Sequence, residues 1–386
     1  MNDRLAPAAR PRILLITRNL PPLVGGMERL NWHLAEELAK QAQVHIVGPR
    51  GCAALAPTGV IMTEVPLKPL WRFLLLGGLA AWRVARRFQP DVVLAGSGLT
   101  APLALFAARR SGARAHAYVH GLDVAVRHPI YRAIWLRALR RLDGVIANSG
   151  PTATLCRSIG IREDRLGIVH PGVDLPEADA TPSSRLDGID NRPLLLSVGR
   201  LSTRKGLREF VSQALPAIVA RHPKTLLLIV GEAPAQALHA QAQTPESIQA
   251  AADAAGVGGN LRFLGVITDY KELGQIYRAC DAHVFPVREI PGDPEGFGMV
   301  AVEAAAHGLP TIAFATGGIV DAVAEGKSGH LVPPGDYPAF VEATLRAIEE
   351  GQELRATCLP FAAQFAWSMF GAGVWTLLAA NPEASA

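Results

Sequence analysis

Arg12-Ile13-Leu14-Leu15-Ile16-Thr17 is an apolar run of the buried-strand type, and a loop from Asn19 to Gly26 follows it. In residues 27–40 Leu30, Leu34 and Leu38 recur at helical spacing, and residues 44–47 form the next apolar run. A short run without polar alternation suits a strand covered on both faces. Strand, helix and strand in that order make a βαβ unit, which implies a parallel sheet and a right-handed crossover.

Working outward, residues 91–94, 115–119, 144–147 and 167–169 read as further short strands separated by helical stretches. A Pro/Ser/Asp-rich segment, 174–193, has the composition of a linker. A second strand series follows at 194–198, 225–230, 261–264, 282–285, 311–313 and 329–332. The expected fold class is therefore α/β, with two Rossmann-like doubly wound domains facing a cleft. Its parts are 1–178, a linker 179–193, a second domain 194–360 and a terminal segment 361–386. In such sheets ligands bind outside the carboxyl ends of the strands.

Length and composition agree. A chain of 386 residues exceeds what one core usually organises, and 49% hydrophobic with 19% charged residues is globular in character. Cys52, Cys156, Cys280 and Cys358 are widely spaced, without Cys-x-x-Cys, and read as reduced buried thiols of a cytoplasmic protein. The first dozen residues are Pro/Ala/Arg-rich, and no secretory leader is expected.

Charge is uneven. Residues 1–178 hold 23 Lys and Arg against 12 Asp and Glu, a balance of +11, which leaves −7 for the remainder of a chain at +4. A basic half suggests an anionic counterpart. With only 6% aromatics and no nucleic-acid-binding motif, a membrane surface is preferred to nucleic acid. Residues 71–88 and 131–142 suit interfacial helices; the uncharged core 73–82 is too short to span a bilayer, so the chain would dock and not cross. Packed surface helices with a solvated basic side account for both stretches nearly as well.

The stretches that carry chemistry lie at strand ends. Pro294-Glu295-Gly296-Phe297-Gly298-Met299 reads as a glycine loop feeding a helix that runs to His307, with Glu295 in the loop and Glu303 on the helix. Gly25 and Gly26 precede the first helix and would point free amides outward. His120 ends an apolar run and is followed by Gly121, a placement that suits an acid, a base or a hydrogen-bond donor as well as a structural histidine. Arg200 and Lys205 bracket the loop Gly199–Gly206, where two cations and helix-start amides would suit a diphosphate. Thr316-Gly317-Gly318 would add another set of amides. Gly96-Ser97-Gly98-Leu99-Thr100-Ala101 matches the G-x-G-x-x-A dinucleotide fingerprint but does not follow the first strand, and Val119-His120 stand where an acidic residue belongs. It reads as a decoy.

Taken together and in order across about residues 12–336, these motifs resemble the retaining GT-B glycosyltransferases of family four, which include bacterial mannosyl- and glucosyltransferases acting on lipids and polysaccharides. The resemblance implies metal-independent hexose transfer from a nucleotide sugar, GDP- or UDP-linked, as a substrate and with no cofactor. It makes the first domain the acceptor side, the second the donor side, and the terminal segment a helix crossing back to the first domain.

Carried over to this sequence, Arg200 and Lys205 would neutralise the donor diphosphate, helped by the Gly25 and Gly26 amides. Glu295 and the amides of Phe297, Gly298 and Met299 would hold the sugar, Glu303 the ribose, and His120 would lie beside the transferred sugar. Thr316, Gly317 and Gly318 would line the phosphate or sugar side. Similarity to phosphatidylinositol-type mannosyltransferases favours mannose, a lipid-linked or saccharide acceptor, and the inner face of the cytoplasmic membrane. Where the family commonly has Gly-x-Gly, this chain has Gly231-Glu232-Ala233, which leaves the base open. A nucleotide-sugar epimerase and a non-catalytic nucleotide-sugar-binding scaffold are the alternatives.

Overall fold

The computed structural model describes residues 10–176, 193–233 and 243–380. The chain forms two compact units, one of residues 1–172 with 367–386, the other of residues 173–366. Most of the expected linker lies outside the described residues.

In the first unit seven parallel strands, β1 (Arg12–Ile16), β2 (Gln43–Pro49), β3 (Val60–Val65), β4 (Val92–Ala95), β5 (Arg114–Val119), β6 (Gly144–Ala147) and β7 (Leu166–Ile168), lie in the order β3-β2-β1-β4-β5-β6-β7. The order reverses between β1 and β4, which is where a doubly wound sheet opens a crevice at its carboxyl edge. Strand β3 was not expected from sequence. Its residues, Val-Ile-Met-Thr-Glu-Val, are mostly half-exposed at the sheet edge, so it lacks the continuous apolar signal of the inner strands.

The second unit holds six parallel strands: β8 (Leu194–Val198), β9 (Leu226–Val230), β10 (Leu261–Gly265), β11 (Ala282–Phe285), β12 (Thr311–Phe314) and β13 (Gly329–Val332). Their order is β10-β9-β8-β11-β12-β13, reversing between β8 and β11. Leu195, Leu227 and Ile229 pack into one layer, and Leu194, Leu196 and Leu228 into another. Burial on both faces explains why these strands read as unbroken apolar runs.

The opposite edge of each sheet is tied by aspartates. The carboxylates of Asp91, Asp143 and Asp281 accept from the amides of Arg12, Ala115 and Leu194 at 2.7, 2.8 and 2.7 Å. Each bond locks the start of a neighbouring strand and leaves the carboxyl ends to the loops that carry chemistry.

The terminal segment divides. Phe361 and Phe365 belong to the second unit, where Phe365 lies 5.7 Å from the Phe297 ring. The helix Trp367–Ala379 belongs to the first. There Trp367 stacks on His33 at 4.0 Å, and the Arg114 guanidinium donates to the carbonyls of Leu378 and Ala380, the favourable placement for a cation at a helix C-terminus. Among the described residues no helix is long and apolar enough to cross a membrane.

Candidate active site

In the second unit the loops after β8 and β11 meet at the point where the strand order reverses. The first loop turns at Ser202, whose carbonyl accepts from the Lys205 amide at 2.9 Å, and it ends at Gly206 with φ +68 before the helix Leu207–Gln213. A side chain at Gly206 would strike the Pro286 carbonyl, so the glycine lets the two loops approach. Lys205 is thereby carried under the second loop. Its ammonium lies 2.8 Å from Glu295 Oε2 and 4.4 Å from the centre of the Phe285 ring.

Arg204 approaches the same carboxylate oxygen through Nη1 and lies 3.3 Å from Asp293 through Nε. The Glu295, Lys205 and Arg204 side chains are 12%, 17% and 13% exposed. Burial opposes ionisation of Glu295, yet Lys205 and Arg204 override it and hold its carboxyl at about 2. Burial, with Arg204 beside it, pulls the Lys205 ammonium below its ordinary range, while Glu295 resists that pull. Sequence reasoning singled out Arg200 and Lys205 and passed over Arg204. A cation inside a polar loop gives no sign of which way it turns. Arg200 is exposed and forms no ion pair among the described residues.

The Glu295 loop is gripped from behind. Gly317, at φ +49, and Gly318 pack on the Glu295 and Gly296 backbone, where a Cβ would collide. The Gly318 amide donates to the Glu295 carbonyl at 2.9 Å and the Thr316 amide to Phe314 at 2.8 Å. The Thr316 hydroxyl donates to Val287 at 3.1 Å. The expectation that Thr316 to Gly318 offer free amides is therefore corrected: the Thr316 and Gly318 amides are spent on shaping the loop. Gly298, at φ +93, starts the helix Met299–Ala306, and the Phe297 side chain is buried. Glu303 lies on that helix, with the Tyr277 hydroxyl 3.4 Å from its carboxylate.

In the first unit the corresponding reversal point gathers the loop after β1, the Gly96–Gly98 turn and His120. Gly25 and Gly26 are exposed at the start of the helix Gly26–Ala39. Asn19 donates to Glu28 at 2.7 Å, and a side chain at Gly25 would meet that carboxylate. The dinucleotide-like turn is a packing device, as its position suggested: Gly96 has no room for a Cβ against Asn31 and Thr17, nor Gly98 against Asp123.

His120 closes β5 with its backbone amide bonded to the Asp123 carboxylate at 2.9 Å. The Asn148 amide lies 3.4 Å from His120 Nδ1, which assigns the proton to Nε2; that nitrogen is buried with no hydrogen-bond partner among the described residues. Burial pushes the His120 pKa down, against the pull of Asp123 and Glu28, so the ring is neutral. Asn148 is a second residue that sequence reasoning missed, because its relation to His120 is purely spatial.

A profile described as Glycosyl transferases group 1 matches residues 184–364, and one described as Glycosyltransferase Family 4 matches residues 24–177. A GDP-mannose-dependent alpha-(1-6)-phosphatidylinositol monomannoside mannosyltransferase of Mycolicibacterium smegmatis is 30% identical over 86% of this chain and 87% of its own length. The chain belongs to the family 4, group 1 glycosyltransferases.

D-inositol 3-phosphate glycosyltransferase 2 of Catenulispora acidiphila is 32% identical over 58% of the chain, a match that spans 53%, about half, of that relative. Among solved structures, Anabaena HepE with UDP superposes with a TM-score of 0.78 at 20% identity, covering 95% of this chain and 99% of that one. WaaG, a glycosyltransferase of lipopolysaccharide biosynthesis, does so with 0.68 at 17%, covering 96% and 100%. These likenesses show the GT-B fold of this glycosyltransferase: two Rossmann-like domains, with the terminal helix returned to the first.

Proposed function

We propose that this glycosyltransferase moves a hexose, with mannose favoured, from a nucleoside diphosphate sugar to a lipid-linked or saccharide acceptor with retention of configuration, at the inner face of the cytoplasmic membrane. The observation that carries the reading is the Glu295–Lys205–Arg204 cluster at the reversal point of the second sheet. A leaving nucleoside diphosphate gathers negative charge, and preorganised cations in a partly dry site stabilise it at no reorganisation cost. Lys205 spends one of its three ammonium protons on Glu295 and keeps the others for phosphate oxygens. Exposed Arg200 adds a guanidinium suited to bidentate phosphate contact.

Held ionised, Glu295 accepts hydrogen bonds from sugar hydroxyls and offers negative charge to an oxocarbenium-like centre. Glu303 takes the ribose hydroxyls, and the turn from Phe297 to Met299 takes the sugar. In the first unit His120 offers Nε2–H to a sugar hydroxyl, and the Gly25 and Gly26 amides suit an anion. No cofactor enters this scheme.

The relatives favour an acceptor bearing phosphorylated inositol, since both named above carry that group in their descriptions. A panel of GDP- and UDP-hexoses with inositol phosphate, phosphatidylinositol or membrane extract, read by mass spectrometry, tests this. A product one hexose heavier is expected with a single donor. Epimerised donor without transfer, or no reaction with any pair, overturns it.

A further inference from the structure

In the helix Tyr270–Ala279 the buried residues Leu273, Gly274, Ile276 and Tyr277 fall at i, i+1, i+3 and i+4, so one face turns to the core. Glycine weakens a helix, and at 274 it has a local reason: a Cβ there would strike the His307 imidazole. The bare backbone lets His307 tuck in and lie flat on Tyr277, with ring centres 5.3 Å apart and planes 16° from parallel. His307 Nδ1 stands 2.9 Å from the Glu303 carbonyl, which can only accept, so that nitrogen carries the proton.

The other side of Tyr277 meets the sheet. His283 and Phe285 are two apart on β11 and share one of its faces. Their rings stack at 5.5 Å, and the His283 ring meets Tyr277 edge to face at 6.3 Å. Phe285 in turn carries the Lys205 ammonium 4.4 Å from its centre. A row of rings therefore runs from Lys205 through Phe285, His283 and Tyr277 to His307. Tyr277, His283 and Phe285 are each 2% exposed or less, and rings packed this closely have little room to shift.

The row ends at Glu303. Ala301, Val302, Ala304, Ala305 and Ala306 of its helix are buried, whereas Glu303 is only half-buried. The Tyr277 hydroxyl stands 3.4 Å from Glu303 Oε2. That is long for a hydroxyl donor, so ring packing, more than the strength of the bond, decides where the hydroxyl stands. A glutamate loses rotamer freedom when it grips a ligand, and a donor already fixed beside one oxygen lowers that cost. A carboxylate offers about four acceptor sites, so a bond from Tyr277 does not exhaust it.

We propose that Tyr277 is a positioning residue for Glu303: its hydroxyl aims the carboxylate at the donor ribose, at a spacing from Lys205 that the row of rings sets. The inference rests on the reading of Glu303 as the ribose grip and adds the residue that aims it. Lys205 and Glu303, suited to the diphosphate and to the ribose of one nucleotide, are thereby joined through the interior.

The test is calorimetric binding to the full chain of GDP or UDP, whichever binds more tightly, and of its 2′,3′-dideoxy analogue. Glu303→Ala should weaken the ribonucleotide and leave the analogue unchanged. Tyr277→Phe keeps the ring and removes only the hydroxyl. It should weaken the ribonucleotide about tenfold, the scale of one hydrogen bond to a charged group, again without effect on the analogue. Added to Glu303→Ala, it should cost nothing more. His307→Ala removes the face on which Tyr277 lies. It should give a smaller loss with the same dependence on ribose, and it carries the test if a thermal melt shows Tyr277→Phe to be unfolded. Equal weakening of both nucleotides by Tyr277→Phe, with Glu303→Ala still selective for ribose, overturns the proposal alone and leaves Tyr277 a packing residue. Additive losses in the double variant overturn it in the same way. Equal weakening of both nucleotides by Glu303→Ala removes the ribose reading itself, and the proposal with it.

Discussion

Lys205 Nζ lies 2.8 Å from Glu295 Oε2, although the two residues are ninety positions apart and stand on loops of different strands. The pair joins the group suited to the leaving diphosphate with the group suited to the sugar, so neither can be altered in isolation. Glu295→Gln keeps the shape and removes the charge that two partly buried cations share. Transfer should fall by about a hundredfold or more, as it does when a preorganised electrostatic contact is lost. The melting temperature should fall too, because Lys205 loses its counterion and Arg204 is left with Asp293 alone. Single-turnover transfer measured beside a thermal melt checks both. Wild-type turnover in the variant would remove Glu295 from the chemistry.

Arg200 and Arg204 should behave differently despite their spacing of four. Arg200 is exposed and unpaired among the described residues, so Arg200→Ala should leave the melting temperature within about 1 °C while weakening nucleotide-sugar binding about tenfold, the scale of one charged hydrogen bond. Arg204 is held by Glu295 and Asp293, so Arg204→Ala should lower stability as well as transfer, leaving Lys205, among the described residues, as the one cation in contact with Glu295. Calorimetric binding of the nucleoside diphosphate, set beside thermal melts, separates the two.

This contrast shows what was legible in the sequence. The two doubly wound sheets could be read because inner strands buried on both faces leave unbroken apolar runs, as in β8 and β9. The edge strand β3 could not, since half-exposed Ile61, Thr63 and Glu64 dilute the signal. Glu295 and Lys205 were legible through their glycine-bearing loops at strand ends. Arg204 and Asn148 were not, because what marks them is contact across the fold. Thr316 and Gly318 were legible as a turn but not as a support, since donors spent inside the protein and donors offered to a ligand have the same sequence.

Acid should act in two stages. His283 is fully buried beside Lys205, and burial, aided by that charge, lowers its pKa from 6.5 to about 3; burial likewise lowers His116 to about 4. Unfolding lets both bind protons near pH 6.5, so their neutral packing favours the fold above that pH and progressively less below it. Glu295 acts lower, its contribution present above 4.5 and lost as pH falls towards 2. Urea midpoints should therefore decline from about pH 6.5 downward before carboxylates titrate. His283→Asn, which can keep a hydrogen bond to Thr311, should flatten the upper part of that decline. An identical slope in the variant would place the acid sensitivity elsewhere.

Gly317 tests whether the Glu295 loop is held from behind. At φ +49 an added Cβ pays for left-handed backbone, and here it would also strike the Glu295 carbonyl. Gly317→Ala should cost about 1–3 kcal/mol of stability, the scale of one strained backbone position, and should shift the carboxylate against Lys205. Glycine at 335 has φ +80 but open space around it, so Gly335→Ala carries the backbone cost without the collision. The two variants can be compared at equal stability by adjusting temperature. If the loop contact matters, Gly317→Ala should lose transfer well beyond Gly335→Ala at matched fractions folded, and its affinity for the nucleoside diphosphate should drop with it. Equal transfer in the two would mean that Gly317 serves only the turn, and that Glu295 is positioned by its cations alone.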